Sequence, residues 1–241
     1  MSLAKHIPNT ITSMNLLCGV LGVTFVFSGR TDIAFPLMLA AAVFDFLDGM
    51  SARALNAYSA IGKELDSLAD LISFGLLPAV MLHKVMADKS PEAGILCYVP
   101  LILTVFSALR LAKFNTDERQ TENFIGLATP ACAMICGSLS YYILHDPDSF
   151  LTRWASGPVF IPLLSAILCA LLVCEVPMFS MKIKKGIQKD TPIYRLRVCM
   201  MGTVVVSVIL VWLLGLNWSM IILLIFVVYV IMNFINVLTT K

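Results

Sequence analysis

Charged residues are scarce in this chain of 241 residues. Asp, Glu, Lys and Arg together make up 13% of it, whereas hydrophobic residues make up 59%. A soluble domain normally carries about 25% charged residues, so the composition excludes an ordinary soluble protein. The net charge of +2 is also too small to indicate a nucleic-acid partner.

The sequence also lacks the cysteine and histidine motifs that are typical of metal sites, redox sites or covalent catalysis. The seven cysteines form no C-x-x-C pair and match no metal-binding spacing, so we interpret them as small apolar packing residues. No cysteine or histidine is positioned to form a covalent enzyme intermediate. No small-residue cleavage site follows the first apolar run, which we therefore expect to be a membrane span and not a cleaved signal peptide.

Long apolar runs are what the sequence has in abundance. A run of about 20 residues crosses the bilayer as a helix, and such runs recur along the whole chain. The predicted fold class is therefore all-α, a polytopic membrane protein with about eight transmembrane helices and a single integral-membrane domain over residues 1–241. We place the spans at about 10–28, 34–55, 62–87, 94–114, 126–145, 158–179, 197–214 and 218–238.

The distribution of Lys and Arg predicts the orientation in the membrane. With the N-terminus inside, thirteen of the 17 cations fall in cytoplasmic parts of the chain. By the positive-inside tendency, both termini and the link between the second and third spans are expected on the cytoplasmic side. The loop at 182–197 carries six of these cations. We interpret it as an anchor to anionic lipid headgroups or, alternatively, as an aid in holding a charged lipid substrate.

Four aspartates stand out against this apolar background, in the stretch "DFLDGMSARALNAYSAIGKELDSLAD". Asp45 and Asp48 share a face at the end of the second span, and Asp66 and Asp70 share a face of the third. If the two helices face each other, four carboxylates come together and repel unless cations bridge them. Carboxylate oxygens suit magnesium or manganese, and a pair of such ions is typical of phosphoryl chemistry.

Small residues and one cation accompany the aspartates at helical spacing. Gly49, Ala52 and Gly62 lack bulk, so a flat nucleotide and its diphosphate can approach the helix backbones there. Arg53 can neutralise a phosphate oxygen with its planar guanidinium. Acid clusters also line cation-conducting or transporting pathways, but that alternative leaves these four residues without a role.

The combined pattern, D-x2-D-G-x2-A-R-x8-G-x3-D-x3-D, resembles the signature of the CDP-alcohol phosphotransferase family with every spacing kept. This resemblance implies an all-helical membrane enzyme, usually a homodimer, that uses two divalent ions. Such an enzyme transfers a substituted phosphate from a CDP-linked donor to an alcohol and releases CMP. The catalytic core would occupy about 1–180, with extra C-terminal helices at about 197–238.

The resemblance also implies a role for each motif residue. Asp45, Asp48 and Asp66 would bind metal, with Asp66 part of the catalytic set, and Asp70 would bind metal and act as the general base. The CDP site would comprise Gly49, Ala52, Arg53 and Gly62. The opening "IPNTITSMN" resembles the N-terminal segment of the family, which adds Pro8, Asn9 and Thr12 to the nucleotide pocket.

Two further segments resemble the membrane-embedded phosphatidylserine synthase branch of that family. They are "ALRLAKFN" at 108–115 and "FIGLATPACA" at 124–133. Lys113 replaces the more usual arginine, and Ala128 and Thr129 stand where proline and a variable residue are expected. The resemblance implies an enzyme of phospholipid biosynthesis in the cell membrane. It would convert CDP-diacylglycerol and L-serine into phosphatidylserine and CMP.

The serine carboxylate requires a cation near the metal site. Arg110 and Lys113 lie three residues apart at the cytoplasmic end of the fourth span, and Asn115 adds a hydrogen-bonding group. With Thr129 they form the expected acceptor site, although both cations can instead extend to lipid phosphates, and Thr129 can simply mark a break in the fifth helix. Two alternatives stay open: an acceptor such as glycerol 3-phosphate or inositol phosphate, or a divalent-cation transporter.

Overall fold

In the part of the chain that the structure describes, the architecture is a bundle of helices with one short β-ribbon. The computed structural model describes residues 6–117, 124–155, 157–178 and 192–239. The helices are α1 (Ile7–Phe27), α2 (Thr31–Ala54), α3 (Ala60–Asp70), α4 (Leu77–Lys89), α5 (Ile102–Thr116), α6 (Thr129–His145), α7 (Phe150–Ala155), α8 (Phe160–Val173), α9 (Pro192–Leu214) and α10 (Ser219–Thr239). A π-helical segment, Leu71–Leu76, joins α3 to α4, and a 3-10 segment, Pro91–Leu101, leads into α5.

Within the described residues, five stretches of helix are long and apolar enough to cross a membrane. They are Ile7–Phe27, Thr31–Ala54, Ala60–Lys89, Pro91–Thr116 and Ser219–Leu238. The expected all-α, multi-pass membrane architecture is thereby confirmed, because only continuous helices satisfy their backbone polar groups in lipid without closing a barrel. The expected number of eight spans stays a prediction, since α6 and α8 are 17 and 14 residues long.

Two of the expected spans are shorter in the structure. The fifth, expected at 126–145, begins at Thr129, because Gly126 has a φ of 75° that an α-helix does not accommodate. The sixth, expected at 158–179, ends at Val173. Two-residue strands pair antiparallel instead, β1 (Phe124–Ile125) with β2 (Pro177–Met178). The ribbon ties the start of α6 to the chain after α8.

The core of the bundle lies around α4 and α6. Leu77 and Leu82 of α4 and Leu139 and Ile143 of α6 are almost completely buried. In contrast, α9 presents large apolar side chains outward, among them Trp212, which is 79% exposed. Such outward apolar surface is expected of helices that face lipid.

Small residues allow α1 to approach the segment that follows Asp70. A Cβ on Gly19 would stand 2.9 Å from the Cα of Ser73, and one on Gly22 would stand 2.5 Å from Leu77 Cδ2. Close helix contacts in membranes are typically made at such residues. The Ser73 hydroxyl also donates to the Asn15 carbonyl at 2.9 Å. The polar face of α1 is thereby held against the third span.

Candidate active site

Three aspartates meet where the end of α2 faces α3. One carboxylate oxygen from each of Asp45, Asp48 and Asp66 lies within 4.8 Å of the other two. We call these three residues the aspartate triad. The reversal between the helices includes Asn56 with a φ of 48°, a conformation that Asn tolerates better than most residues. Ser59 then begins α3 by accepting a hydrogen bond from the Gly62 amide at 3.0 Å.

Asp70 lies one helical turn beyond Asp66 and is deeper in the protein, with 8% of its surface exposed. It does not belong to the triad, although its carboxylate interacts electrostatically with Asp45 and Asp66. The structure therefore brings all four predicted aspartates to one region. Three form a tight cluster, and the fourth stands behind them.

Helix α1 supplies hydrogen-bond donors to this region. The Thr12 hydroxyl donates to Asp48 Oδ2 at 2.6 Å, and the Asn15 Nδ2 group donates to Asp70 Oδ1 at 3.2 Å. Thr12 was predicted to lie in the nucleotide pocket, whereas Asn15 was missed. The available signal was spacing, because Asn15 follows Thr12 by three residues and so shares its face of the helix.

The donor set of the triad fits a divalent cation. Asp66 Oδ1 is buried and has no hydrogen-bond partner within the described residues. A buried carboxylate oxygen without a partner is costly, and a cation bound by the three carboxylates would remove that cost. Oxygen-only ligands of this kind are preferred by magnesium and manganese.

A cavity of about 220 Å³ opens beside the triad. It is lined by Pro8, Asn9, Thr12, Asp48, Gly49, Ala52, Ala57, Tyr58, Ser59, Gly62, Lys63 and Asp66. The small residues expected in the nucleotide pocket, and the predicted α1 residues, therefore lie around one space. Four lining residues from the link and the first turn of α3 were not predicted there: Ala57, Tyr58, Ser59 and Lys63.

The two glycines of the cavity wall have different surroundings. A Cβ on Gly62 would stand 2.8 Å from Asn9 Oδ1 and 2.9 Å from Ser59 Oγ, so no larger residue fits without rearrangement. A Cβ on Gly49 would meet only Arg53 Nη1, at 3.8 Å. Arg53 itself is exposed and does not line the cavity wall, but its guanidinium lies next to Gly49.

Arg110 is inside the protein and does not extend to lipid. Only 5% of its surface is exposed, its Nε donates to the Leu127 carbonyl at 2.8 Å, and its guanidinium carbon lies 5.2 Å from the Phe114 ring centre. It also interacts electrostatically with Asp70. A guanidinium is the side-chain group best suited to pair with a carboxylate, because its planar N–H groups match the two carboxylate oxygens.

The other residues expected at the acceptor site are more dispersed. Lys113 is partly exposed and lies 3.4 Å from Glu175 in an ion pair. The side chain of Asn115 donates a hydrogen bond to Ser67 Oγ at 2.8 Å. Asn115 therefore lies beside α3, and its amide group already has a protein partner. Thr129 is buried at the start of α6, and its hydroxyl has no partner within the described residues.

Comparison with known proteins identifies the fold around this site. The model of the CDP-alcohol phosphatidyltransferase family matches residues 5–181, which contain the triad, Asp70 and Arg110. The chain belongs to this family. CDP-alcohol phosphatidyltransferases depend on divalent metal ions, in agreement with the donor set of the triad.

Related proteins carry names that refer to serine. The chain is 38% identical over 137 residues to CDP-diacylglycerol–serine O-phosphatidyltransferase of Bacillus subtilis, an alignment that covers 57% of this chain and 76% of the relative. It is 32% identical over 183 residues to the protein of the same name from Mycobacterium leprae, covering 73% and 58%. Archaetidylserine synthase of Methanothermobacter thermautotrophicus is 33% identical over 134 residues, covering 55% and 56%. The chain thus spans three quarters of the Bacillus protein and less than two thirds of the other two.

Proposed function

We propose that this CDP-alcohol phosphatidyltransferase transfers the phosphatidyl group of CDP-diacylglycerol to the hydroxyl of L-serine, forming phosphatidylserine and CMP. The observation that carries the proposal is the aspartate triad beside a cavity walled by glycine and alanine, in a chain whose named relatives act with serine. The relatives differ in the lipid part of their names but share the serine part. The acceptor is therefore the better supported half of the assignment.

Two divalent ions, magnesium or manganese, are the proposed cofactors. Asp45, Asp48 and Asp66 would hold them together with Asp70, which interacts with the triad from one turn deeper. When bound, the ions supply positive charge that neutralises the diphosphate and the departing CMP oxygen. Thr12 orients Asp48 for this purpose through its 2.6 Å hydrogen bond.

Asp70 is the proposed general base. It accepts the proton of the serine hydroxyl while that oxygen attacks the lipid-bearing phosphorus. The new P–O bond forms as the bond between this phosphorus and CMP breaks, so the electron pair leaves with CMP. Asn15 holds one oxygen of Asp70 by its 3.2 Å hydrogen bond and thereby orients the carboxylate.

The 220 Å³ cavity is the proposed CDP site. Gly49, Ala52 and Gly62 have little or no side chain, so the nucleotide could approach the helix backbones there. Asn9 and Thr12 of α1 add polar atoms to the lining. Arg53, exposed at the edge beside Gly49, is positioned to approach a phosphate oxygen from outside the wall. The acyl chains of the donor stay in the surrounding lipid.

Arg110 is the proposed partner of the serine carboxylate. It is buried, interacts with Asp70 and is immobilised by Leu127 and Phe114, so a bound serine would have its hydroxyl directed to the base. Thr129 follows Leu127 by two residues and would contribute its hydroxyl to the same acceptor site. Lys113 and Asn115 would contribute less to acceptor binding than Arg110, because Lys113 is paired with Glu175 and Asn115 is hydrogen-bonded to Ser67.

Assembly and location are proposed from the sequence and the family. The active site would face the cytoplasm, since the distribution of Lys and Arg along the sequence predicts that the link between α2 and α3, which carries the site, is cytoplasmic. The protein would form a homodimer in the cell membrane, with a core over about 1–180 and added helices at about 197–238.

The test is release of CMP by the purified full-length protein in vesicles containing CDP-diacylglycerol and magnesium or manganese. We expect release to require L-serine and to yield phosphatidylserine. Glycerol 3-phosphate, inositol phosphate and buffer alone serve as the comparison acceptors. Release with a phosphorylated acceptor but not serine would contradict the serine assignment. No release with any acceptor, together with uptake of divalent ions into the vesicles, would favour a transporter.

A further inference from the structure

A lysine lies at the edge of the cavity that is assigned to CDP. Lys63, in the first turn of α3, is exposed, and it is the one cation among the described residues that line this cavity. It precedes Asp66 of the triad by three residues, so the two side chains share a face of α3. Lys63 therefore lies beside the space that a diphosphate would enter to reach the triad.

The Lys63 side chain is held in place by the end of α5. Its Nζ donates to the Asn115 carbonyl at 3.1 Å, and Asn115 Nδ2 donates to Ser67 Oγ at 2.8 Å. The Ser67 hydroxyl donates in turn to the Lys63 carbonyl at 3.3 Å. These contacts fix a long and otherwise flexible side chain next to the cavity. A cation that is ordered in advance binds a ligand at a lower cost in conformational entropy.

The positive charge of Lys63 is not neutralised by these contacts. The Asn115 carbonyl is a neutral acceptor and takes one of the three N–H donors of the ammonium. Among the described residues, Lys63 forms no ion pair. Arg53 lies on the other side of the site, on α2 beside Gly49. A diphosphate placed between α2 and α3 would therefore meet one cation from each helix.

We propose that Lys63 is a substrate-binding residue whose ammonium holds a phosphate oxygen of the CDP group. The Asn115 carbonyl keeps this ammonium at the edge of the cavity, so the end of α5 takes part in donor binding. Position 63 falls in the x3 interval of the family signature, between Gly62 and Asp66, and has no role by resemblance. The inference rests on the proposed assignment of the cavity to CDP, but not on serine as the acceptor.

The experiment measures binding of CDP and of cytidine to the purified full-length protein in detergent with magnesium, by isothermal titration calorimetry. Cytidine has the same base and ribose as CDP but no phosphate. Lys63→Met removes the charge and keeps a side chain of similar length. We expect its Kd for CDP to rise about five- to ten-fold, the effect of losing one hydrogen bond between charged groups. Its Kd for cytidine should equal that of wild type.

Two further variants serve as controls. Lys63→Arg retains a cation and should keep most of the affinity for CDP. Lys89→Met removes the same charge at the far end of the 30-residue helical stretch Ala60–Lys89, about 40 Å away along the axis, and should bind CDP as wild type does. Because salt screens exposed charges, raising the ionic strength should weaken CDP binding to wild type more than to Lys63→Met.

The outcomes separate this inference from the proposed function. Equal Kd values for CDP in wild type and Lys63→Met would overturn the phosphate contact and leave the CDP site in place. Equal losses for CDP and cytidine would show that Lys63 only joins α3 to α5, and would also overturn it. Misfolded protein lowers the binding stoichiometry and not the affinity, so it does not imitate the expected result. If wild type binds neither ligand, the CDP assignment fails and this inference fails with it, whereas CMP release tests serine transfer separately.

Discussion

Replacing Asp66 by Asn removes one negative charge from the aspartate triad without changing the size of the side chain. The ligand oxygens of the triad lie within 4.8 Å of one another. Two ionised carboxylates at that separation repel by about 3.5 kcal/mol when the effective dielectric constant is about 20. Asp66 has two such neighbours, so the metal-free variant should unfold at a higher temperature than the metal-free wild type.

Metal ions should reverse this order. An ion present at about 100 times its Kd stabilises the folded state by about 2.7 kcal/mol. For a protein of this size each kcal/mol raises Tm by about 2–4 °C, so wild type should gain about 5–11 °C per saturated site. Asp66→Asn has lost a charged ligand and should gain less than half as much.

The assay is thermal unfolding of the purified protein in detergent with EDTA, magnesium or manganese, followed by intrinsic fluorescence. Asp88→Asn is the matched control, because Asp88 makes only a partly exposed ion pair with Lys84 at 2.7 Å, and such pairs contribute about 0–1 kcal/mol. Its metal-induced shift should equal that of wild type. If metal raised the Tm of Asp66→Asn as much as that of wild type, Asp66 would not be a ligand and the reasoning from the triad would be refuted.

Three further predictions test other parts of the site. Asp70→Asn should lower serine-dependent CMP release by at least about 100-fold, which is the contribution of a general base. Its size-exclusion elution profile should stay that of folded protein. Activity near that of wild type would exclude Asp70 as the base. Gly62→Ala should raise the KM for CDP-diacylglycerol about ten-fold, because the added Cβ stands 2.8 Å from an amide oxygen. Gly49→Ala, whose Cβ meets its first atom at 3.8 Å, should raise it less, and the opposite order would contradict the assigned cavity. Arg110→Ala should raise the KM for serine far more than Lys113→Ala, because Arg110 is buried and Lys113 makes a partly exposed ion pair; equal effects would argue against the carboxylate assignment.

Local spacing determined much of what could be predicted. Apolar runs long enough to cross a bilayer predicted the all-α membrane fold, because a helix of about 20 residues matches the hydrocarbon thickness. The intervals within each helix predicted that Asp45 and Asp48 share one face and that Asp66 and Asp70 share another, since residues three or four apart lie on the same side of a helix. The structure shows that these two faces meet. Those intervals, kept in full, also indicated the family that the comparisons confirm.

Contacts between distant parts of the chain were decided only by the tertiary structure. Asn15 meets Asp70 across 55 positions, and Arg110 is buried and donates to the Leu127 carbonyl instead of extending to lipid. The pairing of β2 with β1 likewise occupies the end of the sixth expected span, which was predicted as helix. Hydrophobic periodicity specifies which face of each helix is buried but not which partner covers it, because that choice depends on how small residues such as Gly19 let whole helices approach.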